Sequence, residues 1–574
     1  MHKKYSRRAM LLRTGTALAG GALGLSFGVG CAARRKAKPN PGTVVTQAVA
    51  AQAAEVGRRV LADGGNAIDA AVAAALAAGL VTPYNCGPGG YGGHLILKRS
   101  HEHRVRCIDF NTMAPGQARA DMYPANAIGS LNRFGWLAVG VPGILAGLDL
   151  VLKRYGTRSF GEMAQPAIEL ARNGIVVTPG FAGRILLARA RLLKDPGSAR
   201  VYLPGGAVPE PGELFRNPEL AELLSTLAQR GSVESFYRGD IAQRIAEAFQ
   251  EHGGLVTAKD LAAYHAREIE PLRISLNECE VFTAPLTAGG LTVLQALQAL
   301  REMGWAAEQS THVAESRTGV SPVSRGSSHQ GAGETPALLA THARLEALRL
   351  AWKDRLELLG DPQQIAVPVS RLLSTEYCRE LAMRARMASE QRKLLEIQIG
   401  PESEPGTTNL SSVDGDGNLM AVTLTHGGSF GAQVTVEGLG LTLGHGMSRF
   451  NPHPGHPNAP GPHKRPIHNM CPSLVRRGDH RLLALGGSGG TKIPNAIFDV
   501  LTHYALLHDE IEAAMAAPRC HCTGTREVIL ERSWPEEQRQ YLNQLGFDVR
   551  TGPSAFVSAV EFDSSDGKIR CAVR

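Results

Sequence analysis

E-P-G-T-T-N-L-S-S-V-D-G-D-G-N-L-M-A-V-T-L-T, from Glu404 to Thr425, is the stretch from which the rest of the chain is best read. A Gly-Thr-Thr step enters an alternating segment. A D-G-D-G-N turn (Asp414 to Asn418) comes next, and a second alternating segment ends on Thr423 and Thr425. Turn chemistry and β-branched residues predict a β-hairpin. The arrangement also suits a chain that cuts its own backbone between Gly406 and Thr407 and uses the freed threonine as a nucleophile. A threonine hydroxyl holds its proton tightly. At a chain N-terminus it gains its own base, an α-amine whose unperturbed pKa is about 7.7–8.0. Glycine at 406 leaves the peptide before it uncrowded and free in φ. The hairpin is expected on either reading, so the nucleophile needs support from elsewhere in the sequence.

Other motifs supply it. In chain order they are G-G-N-A-I-D-A-A-V-A-A-A-L (Gly64 to Leu76), C-G-P-G-G-Y-G-G-H (Cys86 to His94), I-D-F-N-T-M-A-P (Ile108 to Pro115) and V-G-V-P-G (Val139 to Gly143). P-A-I-E-L-A-R-N-G (Pro166 to Gly174), F-Y-R-G-D-I-A (Phe236 to Ala242) and G-G-L-V-T-A-K-D-L-A-A-Y (Gly253 to Tyr264) come after them. L-G-D-P (Leu359 to Pro362), K-R-P (Lys464 to Pro466), G-G-S-G-G-T-K-I (Gly486 to Ile493) and A-P-R-C-H (Ala517 to His521) complete the series. In this order the chain resembles the γ-glutamyltransferase (γ-glutamyltranspeptidase) family from about Pro41 to its C-terminus, apart from one insertion.

The resemblance implies an α/β fold, a four-layer αββα sandwich of the N-terminal nucleophile hydrolase type. It implies a large subunit (41–406) and a small one (407–574) made from one precursor by cleavage between Gly406 and Thr407. Thr407 would be the nucleophile, Thr425 the threonine that orients it, and Gly489 and Gly490 the oxyanion-hole pair. Two consecutive glycines can turn adjacent N–H groups toward one point. Where the family grips the α-carboxylate and α-amine of a γ-glutamyl donor, this chain has Asn111, Gly427, Gly446, Arg449, His468 and Asn469. Every one of these side chains departs from the family pattern, and Arg449 reverses a charge. The catalytic half is thus retained and the donor-recognition half is not. The expected function is hydrolysis or transfer of a γ-glutamyl or related acyl group from a small-molecule amide, with water or an amine as acceptor. The alternatives are an exported amidase or acylase of other acyl specificity, and a binding protein without turnover. No cofactor is implied, because N-terminal threonine chemistry needs none.

At 574 residues, 43% hydrophobic and 20% charged, the sequence is that of a globular protein too long for one ordinary core. Its net charge of +8 misleads, since residues 1–38 hold nine Lys/Arg and no acid, and the remainder carries 52 basic against 53 acidic residues. Nucleic-acid binding therefore has no electrostatic basis. That basic end, leading into the apolar stretch Thr14 to Gly30, reads as an export signal. Its S-R-R-A-M-L-L run is twin-arginine-like, and Cys31 sits as in a lipid-attachment site. An exported protein is expected, touching a membrane only through such an anchor. Nine cysteines make no metal spacing, and C-H-C at 520–522 lacks a second ligand pair. The histidines of the His445 to Pro466 loop (His445, His453, His456, His463) have no carboxylate among them, so no metal is expected.

Gln47 to Leu80 carries a helical pattern broken at Gly64 and Gly65, with Asn66 or Asp69 suited to restart it. Gly93 to Leu97, Val105 to Phe110 and Ile274 to Ala284 read as strands. Gly289 to Met303 and Ile493 to His508 read as helices. A Ser/Gly/Thr-rich stretch from about 310 to 336 reads as a disordered surface insertion between two helices.

Overall fold

The alanine-rich pattern after Gln47 forms two helices, Ala51–Ala62 and Ala67–Val81. Asn66 opens the second. Its side chain accepts from the Ile68 and Asp69 amides, and the Asp69 carboxylate accepts from the Asn66 amide in return, a reciprocal cap. From Ala67 to Leu80 every residue is buried, which a helix achieves only when packed on all sides. Alanine side chains let its neighbours approach closely enough. The computed structural model describes residues 41–307, 336–397 and 406–574. The expected export segment (1–38, with Cys31) lies outside them, as does the expected insertion (310–336) up to Pro336, which begins a helix.

Two six-stranded sheets carry the fold, with neighbouring strands antiparallel throughout. The first runs Gly42–Thr46, Thr407–Asp414, Leu419–Thr425, Gly92–Lys98, Val105–Asp109, Arg267–Ile269. The second runs Lys568–Val573, Phe556–Asp563, Arg481–Ser488, Ser473–Arg477, Cys279–Thr283, Leu272–Leu276.

Alternation of side chains along these strands fixes the layering. In the first sheet Ile96, Val413, Leu419 and Ala421 point one way, and meet Phe282, Leu474, Ala484, Val560 and Phe562 of the second. Their neighbours Leu95, Leu97, Leu410, Met420, Val422 and Leu424 point the other way, into the core shared with the alanine helices. In the second sheet Val281, Val475, Leu483, Leu485 and Val557 face a different helical core, which includes Val293, Leu297, Leu348 and Ile497. The order is helices, sheet, sheet, helices, the four-layer sandwich expected from the sequence.

Two readings need correction. Ile274 to Ala284 is not one strand but part of a hairpin, Leu272–Leu276 and Cys279–Thr283, turned at Asn277 with φ of 53°. Asparagine enters that left-handed region more readily than most residues. The helix expected over Ile493 to His508 runs as an α-helix only from Lys492 to Leu501 and widens into a π turn over Thr502–Leu506. Among the described cysteines, seven are buried, Cys571 is exposed and none forms a disulfide. No helix among the described residues is long and apolar enough to cross a membrane.

Candidate active site

Thr407 is the first residue of its strand, directly opposite Thr425, which on its other side faces Gly92. The hairpin turn between them is held by the Asp414 carboxylate, which accepts from the Asp416 and Asn418 amides. Its second oxygen takes the Ala67 amide at 3.0 Å, tying the turn to the start of a helix. Strand alternation aims Thr407, Asn409 and Ser411 at the second sheet, whereas Thr408 and Ser412 reach the helical side, at Cys86 and the Ala67 carbonyl.

The Thr407 hydroxyl donates to Thr425 Oγ1 over 3.5 Å. Thr425 donates in turn to the Gly406 carbonyl and accepts the Gly427 amide at 2.7 Å. With one proton given and two lone pairs used, its hydroxyl has a single allowed orientation. The carbonyl of Thr407 is also held, by the Ser488 hydroxyl and by the Gln47 side-chain amide at 3.3 Å. Gly406 packs so closely on Gly427 and Gly428 that a Cβ there would lie 2.7 Å from a backbone carbon. Thr407 is 5% exposed, so its surroundings leave the hydroxyl little freedom. Thr423 has another task, donating to Asn409 Oδ1 at 2.7 Å, while Asn409 Nδ2 reaches Ser558 of the facing sheet.

Gly489 and Gly490 come directly after Ser488, at φ of 150° and 64°, values that disfavour any side chain. Neither N–H makes a backbone hydrogen bond among the described residues. Both precede the helix that starts at Lys492, whose N-terminal end favours negative charge. The bond from Ser488 to Thr407 brings this turn beside the threonine.

The six positions of the altered grip lie on converging segments. Asn111 is buried, and its Nδ2 donates to Thr287 Oγ1 and to the Pro466 carbonyl, both at 2.7 Å. His468 donates its backbone amide to the Thr287 carbonyl, and Asn469 Oδ1 accepts from Arg355. Gly446 abuts Thr112, and the His445 ring occupies the space a side chain at Gly427 would need. Arg449 is half-buried, near enough to His445 and His468 to disfavour their protonation.

Behind them runs a buried polar chain. The Met470 amide donates to His468 Nδ1 at 3.2 Å, so the His468 proton sits on Nε2, facing His94 Nδ1 at 2.9 Å. That leaves the His94 proton on Nε2, 3.4 Å from Asp109 Oδ1. Burial alone would raise the Asp109 pKa, but the Arg465 and Arg267 guanidinium groups overcome it and hold the carboxylate ionised. Burial pushes the His94 pKa down to about 4 and those of His426 and His445 to about 3, and His468 also falls well below its ordinary value.

These histidines are neutral when folded and protonate near pH 6.5 when unfolded. Between about pH 6.5 and 4 the unfolded chain binds more protons, so stability must fall as pH falls. Each histidine adds a slope of roughly 1.4 kcal/mol per pH unit in that window. Denaturation midpoints in urea at pH 7.5, 6 and 5 should drop steadily. A flat profile would mean that these rings are not buried as neutral species.

Sequence reasoning did not find Ser488, Gln47, Asn409 or the Asp109–His94 pair. Ser488 lay inside the Gly-rich motif already singled out, but Gln47 is 360 residues from Thr407 and had no local signal.

A family model described as gamma-glutamyltranspeptidase matches residues 53–570. A glutathione hydrolase proenzyme of Escherichia coli (strain K12) is 32% identical over 82% of this chain and 80% of its own length. An acylase ACY 1 proenzyme of Pseudomonas sp. (strain V22) is 33% identical over 91% of the chain and 89% of its own. The crystal structure of cephalosporin acylase from Bacillus halodurans superposes with a TM-score of 0.77 at 26% identity, covering 94% of this chain and 97% of that one.

Proposed function

Since this chain belongs to the gamma-glutamyltranspeptidase family and is a self-processing enzyme of that kind, we propose that it cuts itself between Gly406 and Thr407 and then works through an acyl-Thr407 intermediate. The observation that carries this reading is the Thr425 hydroxyl, bonded at once to the Thr407 hydroxyl and to the Gly406 carbonyl. In the first reaction Thr407 Oγ1 attacks the Gly406 carbonyl carbon. As the C–O bond forms the C–N bond breaks, the hydroxyl proton passes to the departing nitrogen and the α-amine is freed. Water then hydrolyses the resulting ester, releasing the Gly406 carboxylate and restoring the Thr407 hydroxyl. Thr425 polarises the carbonyl under attack and holds the nucleophile near it. In turnover the α-amine takes the hydroxyl proton as Thr407 attacks the substrate amide, then passes it to the leaving amine. The Gly489 and Gly490 amides receive the oxyanion. Water or an amine then releases the acyl group.

The acyl group favoured by the site is a dicarboxylic one lacking an α-amine. None of the six grip positions is a carboxylate, and Asp109 behind them is engaged by two arginines. An α-ammonium would find no counter-charge there and would meet Arg449, a repulsion that is costly where water is scarce. True γ-glutamyl transfer is the second reading, supported by relatives named glutathione hydrolase. A panel of glutaryl, γ-glutamyl and simple acyl anilides tests the choice. Glutaryl should be turned over fastest, and Arg449→Asp should cut its kcat/KM by about 10–100-fold with a smaller effect on the γ-glutamyl compound. Faster release from γ-glutamyl anilide by the parent enzyme would reject this acyl preference while leaving the Thr407 mechanism standing. Export across a membrane, suggested by the N-terminal signal, is part of the same proposal.

A further inference from the structure

The helix Pro179–Leu192 has two apolar stripes, and only one of them is used. Phe181, Ile185, Ala188 and Leu192, at helical spacing, are buried in a satellite core with Tyr84, Tyr202 and Phe215. A second stripe, Gly183, Leu186, Leu187 and Ala190, continuing to Leu193, points outward. Leu187 is 82% exposed, Leu186 62% and Leu193 41%, and a side chain built at Gly183 would touch nothing. Isolated exposed leucines are ordinary, but three on one helical face make a patch.

Charge frames that patch. Arg184 and Arg191, seven residues apart, stand along one edge, Arg189 along the other, and Lys194 lies just past the end of the helix. All four are exposed, and no acid lies between Pro179 and Lys194. Arg191 rests its guanidinium on the Phe134 ring at 3.9 Å, and Arg189 reaches the Gly206 carbonyl at 3.1 Å, so both bases are held at the rim. A protein partner would usually answer such a face with a matching pocket. An apolar strip bordered by long cations fits a layer whose interior is aliphatic and whose surface is negative. We propose that this face docks on an acidic phospholipid surface, lying in the headgroup region without crossing the bilayer. The proposal does not depend on the chemistry assigned to Thr407.

The four native tryptophans, Trp136, Trp305, Trp352 and Trp534, are all buried. Leu187→Trp in the full chain therefore adds one surface fluorophore. Vesicles of brominated phosphatidylglycerol should quench that added emission, and brominated phosphatidylcholine should do so far less. Exchanging Leu186, Arg184 and Arg191 for Ser, Gln and Gln in the same background should weaken the response about tenfold or more. Quenching by neither lipid, or equally by both, overturns the proposal, even if the N-terminal segment carries the protein to vesicles. So does a lipid-free dimer that Leu187→Glu dissociates in sedimentation velocity, because the face would then belong to a second copy.

Discussion

Thr407→Ala leaves a single uncut chain on a denaturing gel, while the parent protein gives two. The hydroxyl that would attack the Gly406 carbonyl is gone, and nothing else on the Thr425 side replaces it. Without the cut there is also no α-amine, so base and nucleophile vanish together. Acyl-anilide turnover should fall by about 10⁴-fold or more, as when other covalent enzymes lose their nucleophile. Thr407→Ser keeps both groups and should still process itself, more slowly because the methyl no longer limits the rotamer. Folding is not the reason for the loss, since Thr407 is a single small residue at a strand end. The circular dichroism spectrum of the uncut variant should match that of the parent, showing the same secondary structure. Two bands from Thr407→Ala, with the small-chain N-terminus elsewhere, would end the assignment.

Asp109→Ala should be the most destabilising single change near the site. Asp109 is fully buried and bonded to Arg267 and to Arg465, with Oδ1 also accepting the Asn111 amide at 2.8 Å. Removing the carboxylate leaves Arg465, itself 5% exposed, without its ionic partner and lifts the charge that His94 faces. Breaking such a pair costs about 3–5 kcal/mol. A domain's whole stability is only about 5–15 kcal/mol, so expression and cleavage should both suffer. Arg465 also anchors the Asn111 and His265 carbonyls, so the loss loosens the K-R-P segment that precedes His468 and Asn469. A urea midpoint within experimental error of the parent would show that the cluster contributes nothing net.

The four-layer order was legible through the family likeness, and the helix and strand blocks of the sequence agree with it without selecting it. L-M-A-V-T-L-T and H-L-I-L-K each put alternate residues on opposite faces, and both faces carry apolar side chains because both are covered. Asn66 and the glycines at 64–65 likewise announced a break that the helices obey. The hairpin at Asn277 was hidden because a turn of two residues between apolar strands looks like one interrupted run. Within the site, Thr407, Thr425 and the glycine pair were marked by local chemistry together with the family likeness. The supporting atoms were not, since Gln47, Asp109, Arg267 and Arg465 come together only through sheet order. Long-range partners of that sort leave no spacing to read.

Strand order also governs the fate of the two polypeptides once the proposed cut is made. In the first sheet the strands Thr407–Asp414 and Leu419–Thr425 lie between Gly42–Thr46 and Gly92–Lys98, so residues from after the break are flanked on both sides by residues from before it. In the second sheet Cys279–Thr283 pairs with Ser473–Arg477 across the same division. The two pieces are therefore woven through both ladders, and neither could leave without tearing a row of backbone hydrogen bonds. One chain can find this weave because it folds as a single molecule. Two separated fragments would have to meet first and then interleave, which makes maturation a one-way passage: the finished enzyme endures by the slowness of its unravelling and not by any ease of reassembly.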